Sequence, residues 1–212
     1  MKARAFIYGM ALCLGLSFIS ESHAQETHIP RLELGKKKKK IFNDRDSSAV
    51  IYIDTLIMKD RSSLQFYGKK DVKLVVKYAE IGKNVFVSGI GAQNNASNFD
   101  IDIHLQKLGS LFVLARGQDA VNGTKTFPNG DGGTVNFRYD PSGVKPQRED
   151  KKQTAYLQID VSPGGRAVNA SSDLYQIYSR IATSAPGLRG MPQGQVYSGS
   201  PGKEGKATVT AK

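Results

Sequence analysis

The chain has a single cysteine among its 212 residues and no tryptophan. The cysteine, Cys13, lies inside an apolar run near the N-terminus, so the remainder of the chain offers no disulfide, no thiol nucleophile and no thiolate metal ligand. The absence of tryptophan removes indole rings as platforms for sugars and leaves tyrosine for that role. A domain built from this chain must be held together by packing or repetition rather than by covalent bridges.

The first 24 residues have the organisation of a secretory signal peptide. Lys2 and Arg4 precede an apolar run from Phe6 to Ile19, and Ser22-His23-Ala24 supplies a small-x-small cleavage site. The apolar run is too short for a membrane span. We therefore expect an exported protein that is periplasmic, secreted or at the cell surface. Removal of 24 of the 212 residues leaves a mature chain of 188 residues, without a transmembrane span.

The chain is basic, with 30 Lys and Arg against 19 Asp and Glu and a formal charge of +11. Such an excess favours an anionic partner, here an anionic glycan or another envelope component, and no nucleic acid is expected. The densest positive segment is typical of an anion-binding arm, and equally of a solvated charge run before a folded domain. The candidate anion-binding residues are Lys36, Lys37, Lys38, Lys39 and Lys40.

Residues 25–48 are polar and irregular, so we expect a disordered basic N-terminal segment there. From residue 49 to 170, short alternating apolar runs are separated by Gly, Asn and Asp. One apolar pattern recurs 21 residues later, with Ile51, Ile53, Leu64, Phe66 and Gly68 matched by Val72, Leu74, Val85, Val87 and Gly89. Repetition of two strands and two turns is typical of stacked units whose apolar side chains form continuous columns.

The favoured fold class is all-β, a short right-handed parallel β-helix over residues 49–170. Further units are expected to open at Ile101, Val135 and Leu157, with wide loops from Gly89 to Asn98 and from Gln118 to Gly133. An antiparallel β-sandwich of hairpins would show similar alternation and is the alternative.

Residues 171–212 have a different texture. Leu174, Ile177, Tyr178 and Ile181 have helical spacing and predict an amphipathic helix from about Asp173 to Thr183. A Gly- and Pro-rich loop follows, and then a last strand over Ala207 to Thr210. We expect the helix to shield an open end of the β stack rather than to bind a partner.

The best candidate for a chemical site is the segment from Asp100 to Leu105. On a strand, Asp100, Asp102 and His104 share one face, with alternate carboxylates about 7 Å apart. Such a pair suits a Ca²⁺ ion completed by loop carbonyls from Asn94 to Asn98, or acid–base chemistry on a glycosidic bond. The same alternation is also that of a solvated outer strand face, and no other cofactor is expected.

Arg116 and Arg138 follow apolar runs, on turns expected near one edge. With Asp100, Asp102 and the strand-and-turn texture from Val50 to Val161, they loosely resemble the mixed acidic and basic cleft of secreted bacterial parallel β-helix proteins of the pectin-lyase-like type. The resemblance includes no specific family motif. It implies the β-helix fold and, as one function, a polysaccharide lyase or hydrolase with Asp100, Asp102 and Arg116 as catalytic residues.

The chain shows no complete catalytic constellation, which favours another function. The favoured hypothesis is an exported, non-enzymatic binding or adhesion-type protein of the envelope or surface that engages an anionic partner. The enzyme hypothesis is the alternative, and it requires Asp100, Asp102 and Arg116 to lie within one groove. If these side chains lie on different sides of the stack, the enzyme hypothesis fails.

Overall fold

The chain folds as a parallel β-solenoid whose successive coils stack on one another. The computed structural model describes residues 26–120, 127–165, 175, 178, 179 and 200–212. Within these residues the strands are β1 (Glu26–Leu34), β2 (Lys39–Phe42), β3 (Ser48–Met58), β4 (Ser63–Tyr67), β5 (Asp71–Ile81), β6 (Val85–Ile90), β7 (Asn98–Leu108), β8 (Ser110–Leu114), β9 (Thr134–Tyr139), β10 (Tyr156–Asp160) and β11 (Lys206–Ala211).

The strands alternate between two sheets. The first sheet has six strands in the order β1-β3-β5-β7-β9-β11, and the second has five in the order β2-β4-β6-β8-β10. All pairings between these neighbouring strands are parallel. Successive coils therefore add one strand to each sheet in turn. This arrangement confirms the predicted parallel β-helix and excludes the antiparallel β-sandwich.

Inward-facing side chains form apolar columns that run through the stack. The partners in one column of the first sheet are Ile51, Leu74, Ile101 and Phe137, and all of them are buried. The partners in one column of the second sheet are Leu64, Val87, Val113 and Ile159, which are buried as well. Because each coil buries its apolar face only against its neighbours, stability comes from stacking rather than from any single coil.

The repeat in the first coils is longer than the sequence comparison suggested. Ile51 pairs with Leu74, which sets a repeat of 23 residues rather than 21. The sequence comparison had instead placed Val72 opposite Ile51. Side chains alternate along a strand with period two, so a shift of two residues leaves each side chain on its predicted face.

Residues 25–48, predicted to be disordered, contain two strands. β1 pairs with β3, and β2 pairs with β4. Leu34 is buried, and the ring of Phe42 stacks on that of Phe66 with their centroids 5.1 Å apart. The expectation of disorder is wrong because the next coil supplies the hydrogen-bond partners and apolar contacts that this polar segment does not have by itself.

The described parts of the two predicted wide loops form hydrogen-bonded layers at one corner of the solenoid. This glycine corner comprises residues 91–97, 115–120, 127–133, 161–165 and 200–205. The N–H of Gly130 donates to the carbonyl of Gln118 at 2.8 Å, and the N–H of Gly164 donates to the carbonyl of Gly130 at 2.9 Å. A Cβ at Gly130 would collide with the carbonyl oxygen of Asn94. Only glycine allows this close approach of two backbones.

The end of the chain agrees in part with its prediction. The predicted last strand is confirmed as β11, whereas Leu157 lies in β10 of the second sheet and continues a coil rather than opening one. Tyr175, Tyr178 and Ser179 are helical. The other residues of the predicted helix and the predicted signal peptide lie outside the described part of the chain. Among the described residues, no helix has the length and apolar character needed to cross a membrane.

Candidate functional site

The corner opposite the glycine corner carries a dense set of positive charges. This lysine corner comprises residues 35–38, 59–62, 82–84 and 109, which connect first-sheet strands to second-sheet strands. The N–H of Lys37 donates to the carbonyl of Asp60 at 3.0 Å, and the N–H of Arg61 donates to that of Lys83 at 2.9 Å. Equivalent turn positions therefore lie above one another, about 4.8 Å apart.

The turns of the lysine corner share an unusual backbone conformation. Lys37 and Arg61 both have φ of 61°, and Asn84 has φ of 55°. This left-handed conformation costs roughly 1–2 kcal/mol for residues other than glycine. Its recurrence in three successive turns indicates one repeated turn structure, fixed by the hydrogen bonds between coils. The basic side chains consequently project from an ordered backbone rather than from a flexible run.

Six exposed basic side chains decorate these turns, namely Lys36, Lys37, Lys38, Lys59, Arg61 and Lys83. Acidic neighbours balance only part of this charge. Glu33 pairs with Lys59 at 3.1 Å and with Arg31 at 3.3 Å. These hydrogen bonds, first from Lys59 and then from Arg31, hold the pKa of Glu33 below its ordinary value. Within the described residues, the turn lysines 36–38 have no ion-pair partner.

Two open depressions lie beside the lysine corner. One has a volume of about 340 Å³ and is bordered by Lys36 and Lys59. The other has a volume of about 500 Å³ and is bordered by Lys83. The two share Asp60 and Lys107 in their walls. Carboxylates also line them, Asp60 and Glu80 in the first and Asp60 in the second, but lysines outnumber them in both walls. The recesses therefore have a net positive charge, which attracts carboxylate, sulfate or phosphate groups.

The five candidate lysines do not all occupy equivalent positions. Lys36, Lys37 and Lys38 belong to the first turn of the lysine corner, and Lys39 and Lys40 open β2. Lys39 pairs with Ser63, which is on the outer face of the second sheet, whereas Lys40 pairs with the buried Leu64. Lys40 therefore stands in register with an interior column, although it is itself exposed.

The acidic strand segment forms a network with basic residues of neighbouring strands. Asp100 and Asp102 lie on the outer face of β7, as predicted. The Arg138 guanidinium is 2.9 Å from Asp100 and 3.9 Å from Asp102, and the Lys212 ammonium also pairs with Asp102. Both carboxylates therefore form ion pairs with Arg138 of β9, and Asp102 also pairs with Lys212. These pairs link neighbouring strands on the outer face of the sheet.

Arg116 lies apart from these carboxylates. It follows β8 of the second sheet and borders a depression with Gln118 and Asp119. Asp100 instead borders a depression with Lys73 on the outer face of the first sheet. The enzyme hypothesis requires Asp100, Asp102 and Arg116 to share one groove. The structure does not place these three side chains in one groove.

Two of the loop carbonyls considered for Ca²⁺ accept backbone hydrogen bonds. The carbonyl of Asn94 accepts the N–H of Gln118 at 2.8 Å, and that of Asn95 accepts the N–H of Gly91 at 2.8 Å. Over the described ranges, no group of three or more His, Cys, Asp or Glu side chains has a metal-holding arrangement. The carboxylates of Asp100 and Asp102 face ammonium and guanidinium groups where a cation would have to bind.

The structure places a polar cluster around His104 that the sequence does not predict, because Ser142 lies 38 residues away along the chain and Asp140 nearly as far. Asp140 and Ser142 follow β9, and the Ser142 hydroxyl donates to Asp140 Oδ1 at 2.7 Å. The His104 Nε2 lies 2.8 Å from the side-chain nitrogen of Gln106 and 3.4 Å from the Ser142 hydroxyl. In a catalytic triad, aspartate orients a histidine that activates the serine. Here the Ser142 hydroxyl donates directly to Asp140. The cluster therefore does not have the order of a catalytic triad.

Ser142 controls the ionisation of Asp140. Its hydroxyl and its N–H both donate to the carboxylate and hold the pKa of Asp140 below its ordinary value. Such a carboxylate stabilises the fold above its unfolded pKa, near about 3.9, and this contribution disappears as pH falls through the lower folded pKa. We expect Ser142→Ala to raise the pKa of Asp140 in an NMR titration. Ser142→Thr keeps the hydroxyl and should not, and equal titrations in both variants would contradict this.

Comparison of the chain with models of known protein families, with curated proteins and with solved structures finds no match. Function is therefore inferred from the residues and their placement.

Proposed function

We propose that this is an exported, non-enzymatic protein that binds an anionic glycan of the cell envelope or surface through the lysine corner. The observation that carries the proposal is the alignment of six exposed cations from three successive turns along one corner. The secretory organisation of residues 1–24 supports the compartment.

The spacing of these charges favours a polymer over a small anion. Each of the three turns carries at least one of these cations, and successive turns lie about 4.8 Å apart, so a chain with several acidic groups can contact more than one turn at once. The hydrogen-bonded turns hold the backbone in place before binding, which lowers the ordering cost relative to a disordered arm. Because all six cations are exposed, their attraction is screened beyond about 8 Å at physiological ionic strength.

Neutralising the first turn tests the proposal. We expect the triple variant Lys36→Gln, Lys37→Asn, Lys38→Gln to bind an immobilised sulfated polysaccharide roughly tenfold more weakly at low salt. Three surface charges at about 0.5 kcal/mol each amount to the roughly 1.4 kcal/mol of a tenfold change. Asparagine at position 37 tolerates the positive φ. Deletion of residues 36–40 would be a poorer test, because it removes the turn and half of β2.

A matched control separates the corner from net charge. Lys70, Lys203 and Lys206 are exposed and lie at or beside the glycine corner. Their triple replacement by glutamine removes the same charge and should leave binding nearly unchanged. Binding measured over a range of salt concentrations should also depend less on salt in the corner variant than in the control. Equal losses in both variants would attribute binding to net charge, and no loss in the corner variant would refute the proposal.

A further inference from the structure

The N-terminal end of the solenoid has two strand edges without a neighbour in the described part of the chain. β1 and β2 are the terminal strands of the two sheets at this end, and β10 and β11 are the terminal strands at the other end. An open parallel edge is a template for a further strand. Because the two ends differ, addition of a second copy would be head to tail and would not close on itself. Repeated addition of this kind would give an open filament unless a feature of the end opposes it.

Lys40 occupies an interior position at this open end. The register continues from Lys40 to Leu64, Val87, Val113 and Ile159. The four apolar members are at most 9% exposed, so the column is apolar except at its first position. The Lys40 side chain lies back over the neighbouring Phe42, with Nζ 5.4 Å from the ring centroid. In this position Lys40 is exposed and its ammonium lies over an aromatic ring at the end of the core.

We propose that Lys40 prevents a second copy of this chain from stacking on the N-terminal end. A docked copy would place its β10 beside β2, with Ile159 of that copy at the next position of the column. The Lys40 ammonium would then lie between Ile159 and Leu64 and lose its hydration with no acidic residue in the column to pair with. Burial of an unpaired charge is strongly unfavourable, and an inward-pointing charge is a known way to protect an edge strand.

The test compares three variants of the mature protein by sedimentation velocity over a wide concentration range. Lys40→Leu continues the apolar column and should raise the weight-average mass at least about twofold with increasing concentration. Lys39→Leu adds the same side chain on the outer face and should sediment like the unmodified protein. Lys40→Glu removes more positive charge but keeps a charge in the column, so it should also remain unassociated.

Each outcome decides the proposal. Association of Lys40→Leu alone supports it. Absence of association in Lys40→Leu overturns it, because the end would then be protected by something else. Association of Lys40→Glu as well would show that loss of positive charge is responsible, and association of Lys39→Leu would show a general effect of surface leucine. Concentration-dependent stacking of the unmodified protein would also overturn it.

Discussion

Replacing Val87 by aspartate should unfold the protein or lower its free energy of unfolding by at least about 3 kcal/mol. Val87 is 4% exposed in β6 and lies between Leu64 and Val113 in an interior column. A carboxylate at this position loses its hydration and has only aliphatic neighbours in the column. It would also disrupt the packing of this coil on the coil before it and on the coil after it. The stability of the stack depends on such contacts between neighbouring coils.

Lys83→Asp is the matched control, four residues earlier in the same coil. Lys83 is exposed at the lysine corner, and its N–H rather than its side chain bonds to Asp60 Oδ1 at 2.8 Å. We expect its effect on the free energy of unfolding to stay within about 0.5 kcal/mol. Urea unfolding followed by circular dichroism measures both variants. Comparable destabilisation by the two would contradict the inward position of Val87.

The burial pattern was predictable because it depends on alternation alone. Val72, Leu74 and Val76 alternate with polar or half-buried neighbours in β5, and all three are buried. Register depends instead on turn length and on contacts between coils, neither of which has a period in the sequence. The match of Ile51 with Val72 therefore predicted the correct face and the wrong partner.

Order in the first coil was not predictable from its own residues. The segment 36–40 is a run of lysines, and such a run is usually solvated and mobile. Here β2 pairs with β4 and the turn before it bonds to the next turn. The information that orders this segment lies in residues 59–66, which supply the partners. The need for glycine at position 130 was not predictable from local sequence either. It arises because the carbonyl of Asn94, 36 residues earlier, leaves no room for a Cβ.

The basic partner of the acidic pair was likewise undetermined by sequence. Arg116 and Arg138 both follow or lie within apolar runs, and nothing local distinguishes them. Arg138 lies opposite Asp102 in the β7–β9 register, whereas Arg116 follows a strand of the other sheet. Because sheet membership is set by the whole coil path, the choice between the two arginines needs the structure.

Lys69 and Lys70 show most clearly that local sequence does not determine burial. Lys69 is also the second position at which we expect a substitution to change the free energy of unfolding strongly. Lys70 is exposed, but the Lys69 side chain is fully buried. Its ammonium donates to the carboxylate of Asp44, to the carbonyl of Asp44 at 3.2 Å and to the carbonyl of Asp46. One side chain thus fixes the connection between β2 and β3 to the following coil.

Lys69→Met should lower the free energy of unfolding by about 1–3 kcal/mol, since it removes the donor to two carbonyls and to the half-exposed carboxylate of Asp44. Methionine keeps much of the side-chain volume, so the loss reflects the ammonium rather than a cavity. Lys70→Met is the matched control and should change the free energy of unfolding by less than about 0.5 kcal/mol. Urea unfolding of both variants measures the difference. Similar values would show that Lys69 is not held as described.

Asp44→Asn should make the stability depend on pH in a defined direction. Burial lowers the pKa of Lys69, and loss of the carboxylate removes the charge that opposes this effect. The unfolded lysine keeps its proton up to about pH 10.4, so above the lowered folded pKa the unfolded state binds more protons. The free energy of unfolding of the variant should therefore rise with pH through that window. Urea unfolding of Asp44→Asn at neutral pH and at about pH 10 should show partial recovery relative to the unmodified protein, and a constant deficit would contradict the buried charge.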